Sequence, residues 1–232
     1  MSVAAIVAAA GVGERLRSRL AKPFHVIGGV PLIVHTLKQL SAHPLIDGLI
    51  VVFSANNIER LTQLIDEHKI KKITKIVEGG STRAQSVRNG LKHTDGYDFI
   101  LVHDGARPFI ERRIIDAAIK KAKTIGAVVV GLPVSSTIKR VDAGTNEVDA
   151  TLRREQLWQI QTPQVFRSDI IKKAYEQTMD EQAPDDAFLV EQMGVRVGLV
   201  EGSPLNIKIT TPEDFVFAEA INKFLRNKGK RK

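Results

Sequence analysis

Two glycines and two cations near the start of the chain are the residues whose types and spacing point most directly to chemistry. Gly11 and Gly13 end an apolar run of strand composition, Val3 to Ala10, and Arg15 and Lys22 follow in the same loop, AAAGVGERLRSRLAKPF. Glycines let backbone N–H groups approach an anion closely, and flexible cationic side chains can then close over it. Two familiar phosphate loops fail on spacing. A dinucleotide-binding loop needs a small residue three positions after its second glycine, where this chain has Leu16. A Walker-type loop needs four residues between its glycines, and here only Val12 intervenes. A strand-to-loop turn bearing solvated arginines fits an isolated GxG equally well. The rest of the chain must decide.

The elements that would hold this loop alternate regularly. Apolar runs at Gly48 to Phe53, Ile73 to Val77, Phe99 to Val102 and Ala127 to Leu132 read as buried strands. Helical periodicity over Pro31 to His43, Asn57 to Lys69, Ser81 to His93 and Arg112 to Thr124 fills the intervals. Short apolar strands alternating with helices imply a doubly wound α/β domain built on a mostly parallel sheet, with ligands gathering beyond the carboxyl ends of the strands. The alternation breaks at 133–161, where two β-like segments flank the turn-rich Asp142 to Asn146, and a protruding β-hairpin arm is expected. Such an arm has too little core to stand alone, so a second subunit is a plausible partner for it. Helices over Ser168 to Met179 and Asp185 to Met193, strands at Val195 to Val200 and Ile207 to Thr210, and a last helix from Thr211–Pro212–Glu213 complete the reading. One domain spanning residues 1–232 is expected.

The strand ends then give a consistent inventory. The third strand leads to Gly79, Gly80, Arg83 and Ser86, the fourth to His103, Asp104, Gly105, Ala106, Arg107 and Pro108, and a late strand carries Lys208. Cations and glycines with one carboxylate suit phosphoryl or nucleotidyl transfer, where catalysis is mainly positioning and charge neutralisation. Asp104 suits Mg²⁺, which takes a carboxylate or two with phosphate oxygens and water. It equally suits a turn before Gly105. His103 reads as a packed strand-end residue, Arg153 and Arg154 as a solvated pair, and Trp158 as an arm or interface contact.

Bulk composition narrows the classes. The 232 residues are 43% hydrophobic, enough for one substantial core, and contain no cysteine, which excludes disulfide frameworks, thiolate zinc sites and cysteine nucleophiles. The apolar N-terminus lacks a preceding basic segment and is about eight residues long, short of the ~18 that span a bilayer, so a cytoplasmic protein without a membrane partner is expected. The net charge of +8 is concentrated at the end: KFLRNKGKRK, residues 223–232, holds six of the 34 basic side chains and none of the 26 acidic ones. A nearly balanced body with 5% aromatics argues against a nucleic-acid partner, and the basic tail from 226 reads as a solvated terminus.

Taken together, AAAGVGERLRSRLAKPF, EGGSTRAQSV, LVHDGARPFI, PVSSTIKR, LWQIQTPQVF and NIKITTPEDF resemble the 2-C-methyl-D-erythritol 4-phosphate cytidylyltransferases of the non-mevalonate isoprenoid route, in order over nearly the whole chain. The resemblance implies a Rossmann-like nucleotidyltransferase fold and a reaction in which methylerythritol phosphate attacks the α-phosphorus of CTP, with Mg²⁺, releasing pyrophosphate. It implies that Arg15 and Lys22 are catalytic, that Ala9, Ala10, Gly11, Gly13, Gly80, Arg83 and Ser86 bind the nucleotide, and that Asp104 is the metal-associated residue. It further implies that Arg154, Lys208, Thr137 and Arg107 position the second substrate, with Arg154 serving the partner's site in a homodimer joined by its arms. Two departures stand out: Ser81 where many members have aspartate, and Pro184-Asp185-Asp186-Ala187-Phe188 where they have Thr-Asp-Asp/Glu-Ala-Ser, which removes a hydroxyl expected on the substrate phosphate. The altered segment suggests ribitol 5-phosphate as an alternative substrate. An NAD(P)-dependent oxidoreductase, disfavoured by Leu16, and a nucleic-acid-binding protein are the remote alternatives.

Overall fold

The computed structural model describes residues 1–11, 20–177 and 182–229. Strand β1 (Val3–Ala8) is followed by two short strands, β2 (Val26–Ile27) and β3 (Val30–Pro31), and by helix α1 (Leu32–Ser41). Then come β4 (Gly48–Phe53), α2 (Ile58–Glu67), β5 (Ile73–Glu78), α3 (Arg83–Leu91), β6 (Phe99–Asp104), α4 (Arg112–Ile125) and β7 (Ala127–Pro133). The chain continues through β8 (Ile138–Val141), β9 (Val148–Leu152), β10 (Trp158–Arg167), α5 (Ser168–Gln177), α6 (Asp186–Gln192), β11 (Gly198–Glu201) and α7 (Pro212–Gly229). Seven strands form one sheet in the order β11-β7-β10-β6-β1-β4-β5. All its pairings are parallel except those of β10, which runs antiparallel between β6 and β7.

Side-chain alternation along β1 explains the two layers. Val3, Ala5 and Val7 face a core shared with α1, α2 and α4, whereas Ala4 and Ile6 face one shared with α3, α5 and α6. Helix α4 shows how sequence fixes a layer: Ile114, Ile115, Ala118, Ile119 and Ala122 recur at helical spacing and are all buried. It stops at Gly126, whose φ of 88° is left-handed and whose N–H bonds Ala122 O. A third, smaller core joins Ile27, Leu32, Phe109 and Ile209 to Ala218 of α7.

Three expectations are corrected. No strand forms over Ile207 to Thr210; the segment is irregular, and its backbone meets the turn after β6 through an Ile209 N–H bond to Ala106 O. Asp104 is the last residue of β6 rather than part of a turn before Gly105, while His103 is packed within the strand end as expected. Trp158 and the residues after it are not arm but β10, a central strand that Pro163 hides from sequence reading because proline normally marks an edge. The Thr162–Pro163 bond is cis, and the β10–β7 register breaks between Gln161 and Val165, which is how the ladder accommodates a residue without an N–H. The two-stranded arm itself is β8 and β9, whose Val141 and Val148 are exposed.

Irregular residues 202–208 are held by one β10 side chain. Gln161 donates to Ser203 O (3.0 Å) and Asn206 O (3.3 Å) and accepts from Ser203 N–H (3.3 Å). Gln161→Ala strands the Ser203 N–H, while Asn206 O keeps Arg107, and is expected to cost about 1–3 kcal/mol, read as a lower urea midpoint at unchanged slope.

Candidate functional site

The chain extends the sheet's ladder beyond the strand ends. Ala9 N–H bonds Val52 O (2.9 Å), Gly79 N–H bonds Phe53 O (2.8 Å) and Gly105 N–H bonds Ala8 O (2.9 Å). Thr36 of α1 donates to Gly105 O (2.9 Å), pinning the turn after β6. The loops therefore leave the sheet in fixed directions and wall a cavity of about 410 Å³ at the carboxyl ends of β1 and β6, where the strand order reverses. Gly79 is required by close approach, since a Cβ there would collide with the Cβ of Ala10.

The structure brings together Ala9, Ala10, Gly11, Lys22, Gly80, Arg83, Ser86, Asp104 and Lys208 around this cavity. Arg15 and Gly13 lie outside the described residues. Lys22 opens a 3₁₀ turn, Lys22–Phe24, that buries Phe24 against Phe53 (ring centroids 5.7 Å apart) beneath the Arg60 guanidinium. On the opposite wall, Ser86 Oγ donates to Thr82 O (2.9 Å) and accepts from Gly80 N–H (3.1 Å), while Thr82 caps α3 through Gln85 N–H (3.0 Å). Thr137 and Arg154 do not join this group: both are exposed on the arm, and Arg154 donates to Ser135 O (2.7 Å) at the arm's base.

Among the described residues Asp104 is the one acidic residue on the wall, and it is 5% exposed. Lys208 Nζ lies 3.1 Å and Arg107 Nε 3.2 Å from its Oδ2, and Arg83 Nε lies 3.5 Å from Oδ1. Burial alone would raise its pKa, but Lys208, Arg83 and Arg107 together outweigh burial and hold the carboxyl far below the usual range. Arg107 stands behind Asp104 rather than on the wall, with its other end donating to Asn206 O (2.9 Å). Counting Lys22, four cations among the described residues face two carboxylates, Asp104 and Asp186, which leaves these described side chains with a surplus positive charge suited to phosphates. Among the described residues no three His, Asp or Glu side chains converge as a metal cage. A single carboxylate on a phosphate-sized cavity fits Mg²⁺, which takes its remaining ligands from phosphates and water.

His103 is fully buried and neutral. Its Nε2 meets Arg107 O (3.1 Å), an obligate acceptor, so Nε2 carries the proton and Nδ1 accepts from Thr162 Oγ1 (3.1 Å). The same hydroxyl oxygen accepts from Asp104 N–H (3.0 Å). Thr162 thus fixes the end of β6 from the neighbouring strand. Sequence reading assigns Thr162, Gln164 and Asp186 no role because none is a cation or follows a predicted strand; the QTPQ run signals the first two, and Asp186 enters only as part of the departing 184–188 segment. Of the departures, Ser81 lines the cavity and donates through N–H (2.7 Å) and Oγ (2.9 Å) to Gln85, whereas Pro184 is exposed and Phe188 packs against the α3 layer.

The geometry has close counterparts. A family model described as IspD: 2-C-methyl-D-erythritol 4-phosphate cytidylyltransferase matches residues 3–223. The enzyme of that name from Geobacter metallireducens is 41% identical over 230 residues, covering 96% of this chain and 98% of its own. The one from Alkaliphilus metalliredigens is 43% identical over 94% of this chain and 92% of its own. The crystal structure of 4-diphosphocytidyl-2C-methyl-D-erythritol synthase from Anaerococcus prevotii superposes with a TM-score of 0.85 at 31% identity, covering 96% of each chain.

The buried His103 makes a pH prediction. Burial holds its pKa at about 4, against 6.5 when solvated. The unfolded chain therefore binds the extra proton first, and stability is lost as pH falls from 6.5 to 4. The loss is on the order of 3 kcal/mol. Asp104 acts with the same sign but only below its ordinary value of 3.8. Urea unfolding between pH 4 and 7 is expected to show this slope, reduced in His103→Asn.

Proposed function

Because this chain belongs to the 2-C-methyl-D-erythritol 4-phosphate cytidylyltransferase family, we propose that the cavity binds CTP and that its cations drive the transfer. The enzyme is a nucleotidyltransferase: it moves a cytidylyl group from CTP to 2-C-methyl-D-erythritol 4-phosphate, giving 4-diphosphocytidyl-2-C-methyl-D-erythritol and pyrophosphate. The observation that carries the site assignment is the surplus of cations around one carboxylate in a glycine-walled cavity at the sheet's switch point.

In this reading Ala9, Ala10, Gly11 and Gly80 let the nucleotide approach backbone, with Ser86 and Arg83 on the far wall. Lys22, with Arg15 and Gly13 assigned from sequence, faces the triphosphate and stabilises charge that builds at the α-phosphorus as the substrate phosphate attacks in line. No side-chain nucleophile is needed, because the substrate's own phosphate oxygen forms the new bond and pyrophosphate leaves. Asp104 would hold Mg²⁺, which supplies further neutralisation of the phosphate oxygens when bound. Lys208 reaches both Asp104 and the cavity and is placed to orient the second substrate, with Arg107 supporting it from behind. Thr137 and Arg154, remote from the cavity of their own chain, would act in a partner's site. This assignment needs a homodimer, and the exposed Val141 and Val148 of β8 and β9 support one joined through the arm, which would cover them. Among the described residues no helix is long and apolar enough to cross a membrane, and we place the reaction in the cytoplasm, where CTP and sugar phosphates reside. Neither nucleic acid nor membrane is assigned as a partner.

Pyrophosphate release from CTP, Mg²⁺ and methylerythritol phosphate tests the reaction, with ribitol 5-phosphate as the comparison. Folded protein that releases none with the first substrate would contradict it. Lys22→Ala is expected to lower kcat by about 10²–10³ with a smaller change in KM, since its contact strengthens as charge develops. Mixing inactive Lys22→Ala with inactive Arg154→Ala should restore about a quarter of wild-type activity, one intact site in half of the dimers. Mixtures that stay inactive would remove Arg154 from the partner's site.

A further inference from the structure

Arg83 binds a carboxylate outside the cavity more tightly than the one inside it. Its Nη1 and Nη2 donate to Asp186 Oδ1 (3.0 Å) and Oδ2 (2.7 Å) in a two-pronged pair, whereas Nε stands 3.5 Å from Asp104. Asp186 is fully buried at the first turn of α6 and does not line the cavity. Its own position is set twice over. Tyr175 of α5 donates to Oδ1 (2.6 Å), and Gln164 of β10 accepts from the N–H groups of Asp186 (3.2 Å) and Ala187 (3.1 Å) while donating to Asp185 Oδ2 (2.8 Å). Asp185 in turn caps α6 through Phe188 N–H (2.9 Å).

Resting on the cytidylyl-transfer reading, we propose that Asp186, set by Gln164 and Tyr175, is a positioning residue for nucleotide binding: it fixes Arg83 on the cavity wall and holds it off Asp104. A guanidinium is planar, and a two-pronged carboxylate fixes its plane as well as its distance. An arginine on the first turn of α3 would otherwise turn toward the nearest buried charge, which is Asp104. Captured there, it would be withdrawn from an incoming phosphate and would occupy the carboxylate oxygen it now leaves at 3.5 Å. Asp186 therefore decides which of two carboxylates Arg83 serves. The QTPQ segment gains a function in the same step, since Thr162 sets the end of β6 and Gln164, two residues on, sets the carboxylate that restrains Arg83.

The test compares wild type, Tyr175→Phe, Asp186→Asn, Arg83→Gln and the Asp186→Asn/Arg83→Gln double variant. Each is measured for pyrophosphate release against CTP concentration and for equilibrium CTP binding without the second substrate. Tyr175→Phe, which removes one hydroxyl and keeps the packing, is expected to raise both KM and Kd for CTP by roughly 3–10-fold with kcat within about twofold. Asp186→Asn should raise them by more than about tenfold. The double variant should be no worse than Arg83→Gln alone, because a residue that acts through Arg83 has nothing left to position. Unchanged CTP affinity in Tyr175→Phe, even with lowered thermal stability, would overturn the proposal, and so would losses in the double variant that multiply. If Asp186→Asn does not fold, Tyr175→Phe decides. Wild-type protein that turns over while both variants keep their CTP affinity fails this assignment alone. Wild-type protein that neither binds CTP nor releases pyrophosphate fails the cytidylyl reading and this assignment with it.

Discussion

A carboxylate that ends a central strand in a nearly dry environment has to be compensated, and much of the architecture around the cavity follows from how Asp104 is. Leaving such a charge uncompensated would cost several kcal/mol. The three cations that answer it come from α3, from the turn after β6 and from the irregular segment before α7, so one charge ties three distant stretches to one point. Two of the cations are then restrained elsewhere: Arg83 by Asp186, Arg107 by the Asn206 carbonyl. Lys208, whose side chain is 39% exposed, keeps an open face toward the cavity. The result is a rigid positive wall in which the negative charge is already balanced before any phosphate arrives, which is what a reaction dependent on preorganised charge requires.

The sheet and its layers were legible because their signals are local. Continuous apolar runs marked β1, β4, β6 and β7, and Ile114, Ile119 and their neighbours marked α4 by spacing alone. The strand-end inventory likewise found most of the cavity wall, since in a parallel sheet the residues that follow strands share one edge. What stayed hidden was β10. Proline in a strand normally argues for an edge, but Pro163 sits between β6 and β7 where the register with β7 shifts. With that strand went Thr162, Gln164 and Asp186, whose importance lies wholly in contacts with residues far along the chain. The expected strand over Ile207 to Thr210 failed for a related reason: alternation was read correctly, but Ile209 buries its side chain in the small core under α7 while its backbone bonds only a turn.

The glycine loop that first suggested a phosphate now has a physical setting. Gly11 stands just beyond the end of the buried strand β1, facing a wall where Gly79 allows Ala10 to approach closely, so the space for a ligand is created by the absence of side chains rather than by a deep groove. Opposite it the cations are long, and the two arginines are held by a second partner as well as by Asp104. Small residues on one side and restrained charges on the other separate shape recognition from charge recognition within a single cavity.

The place of β10 in the sheet also orders events during translation. Strands β1, β4, β5 and β6 can pair as soon as residue 104 has left the ribosome, and they then present β6 as an open edge. Strand β7 is made next but lies too far from β6 to close that edge, because the position between them is reserved for a strand still unmade. The arm residues must be synthesised, and the chain must reverse, before β10 can insert along both neighbours at once. Until then Asp104 lacks Thr162 behind it, and Arg83 and Lys208 lack the strand that orders their supports. Four strands of the sheet can therefore pair early while the wall around Asp104 is completed late, and through that interval the edge of β6 is the surface a chaperone or a neighbouring nascent chain would meet.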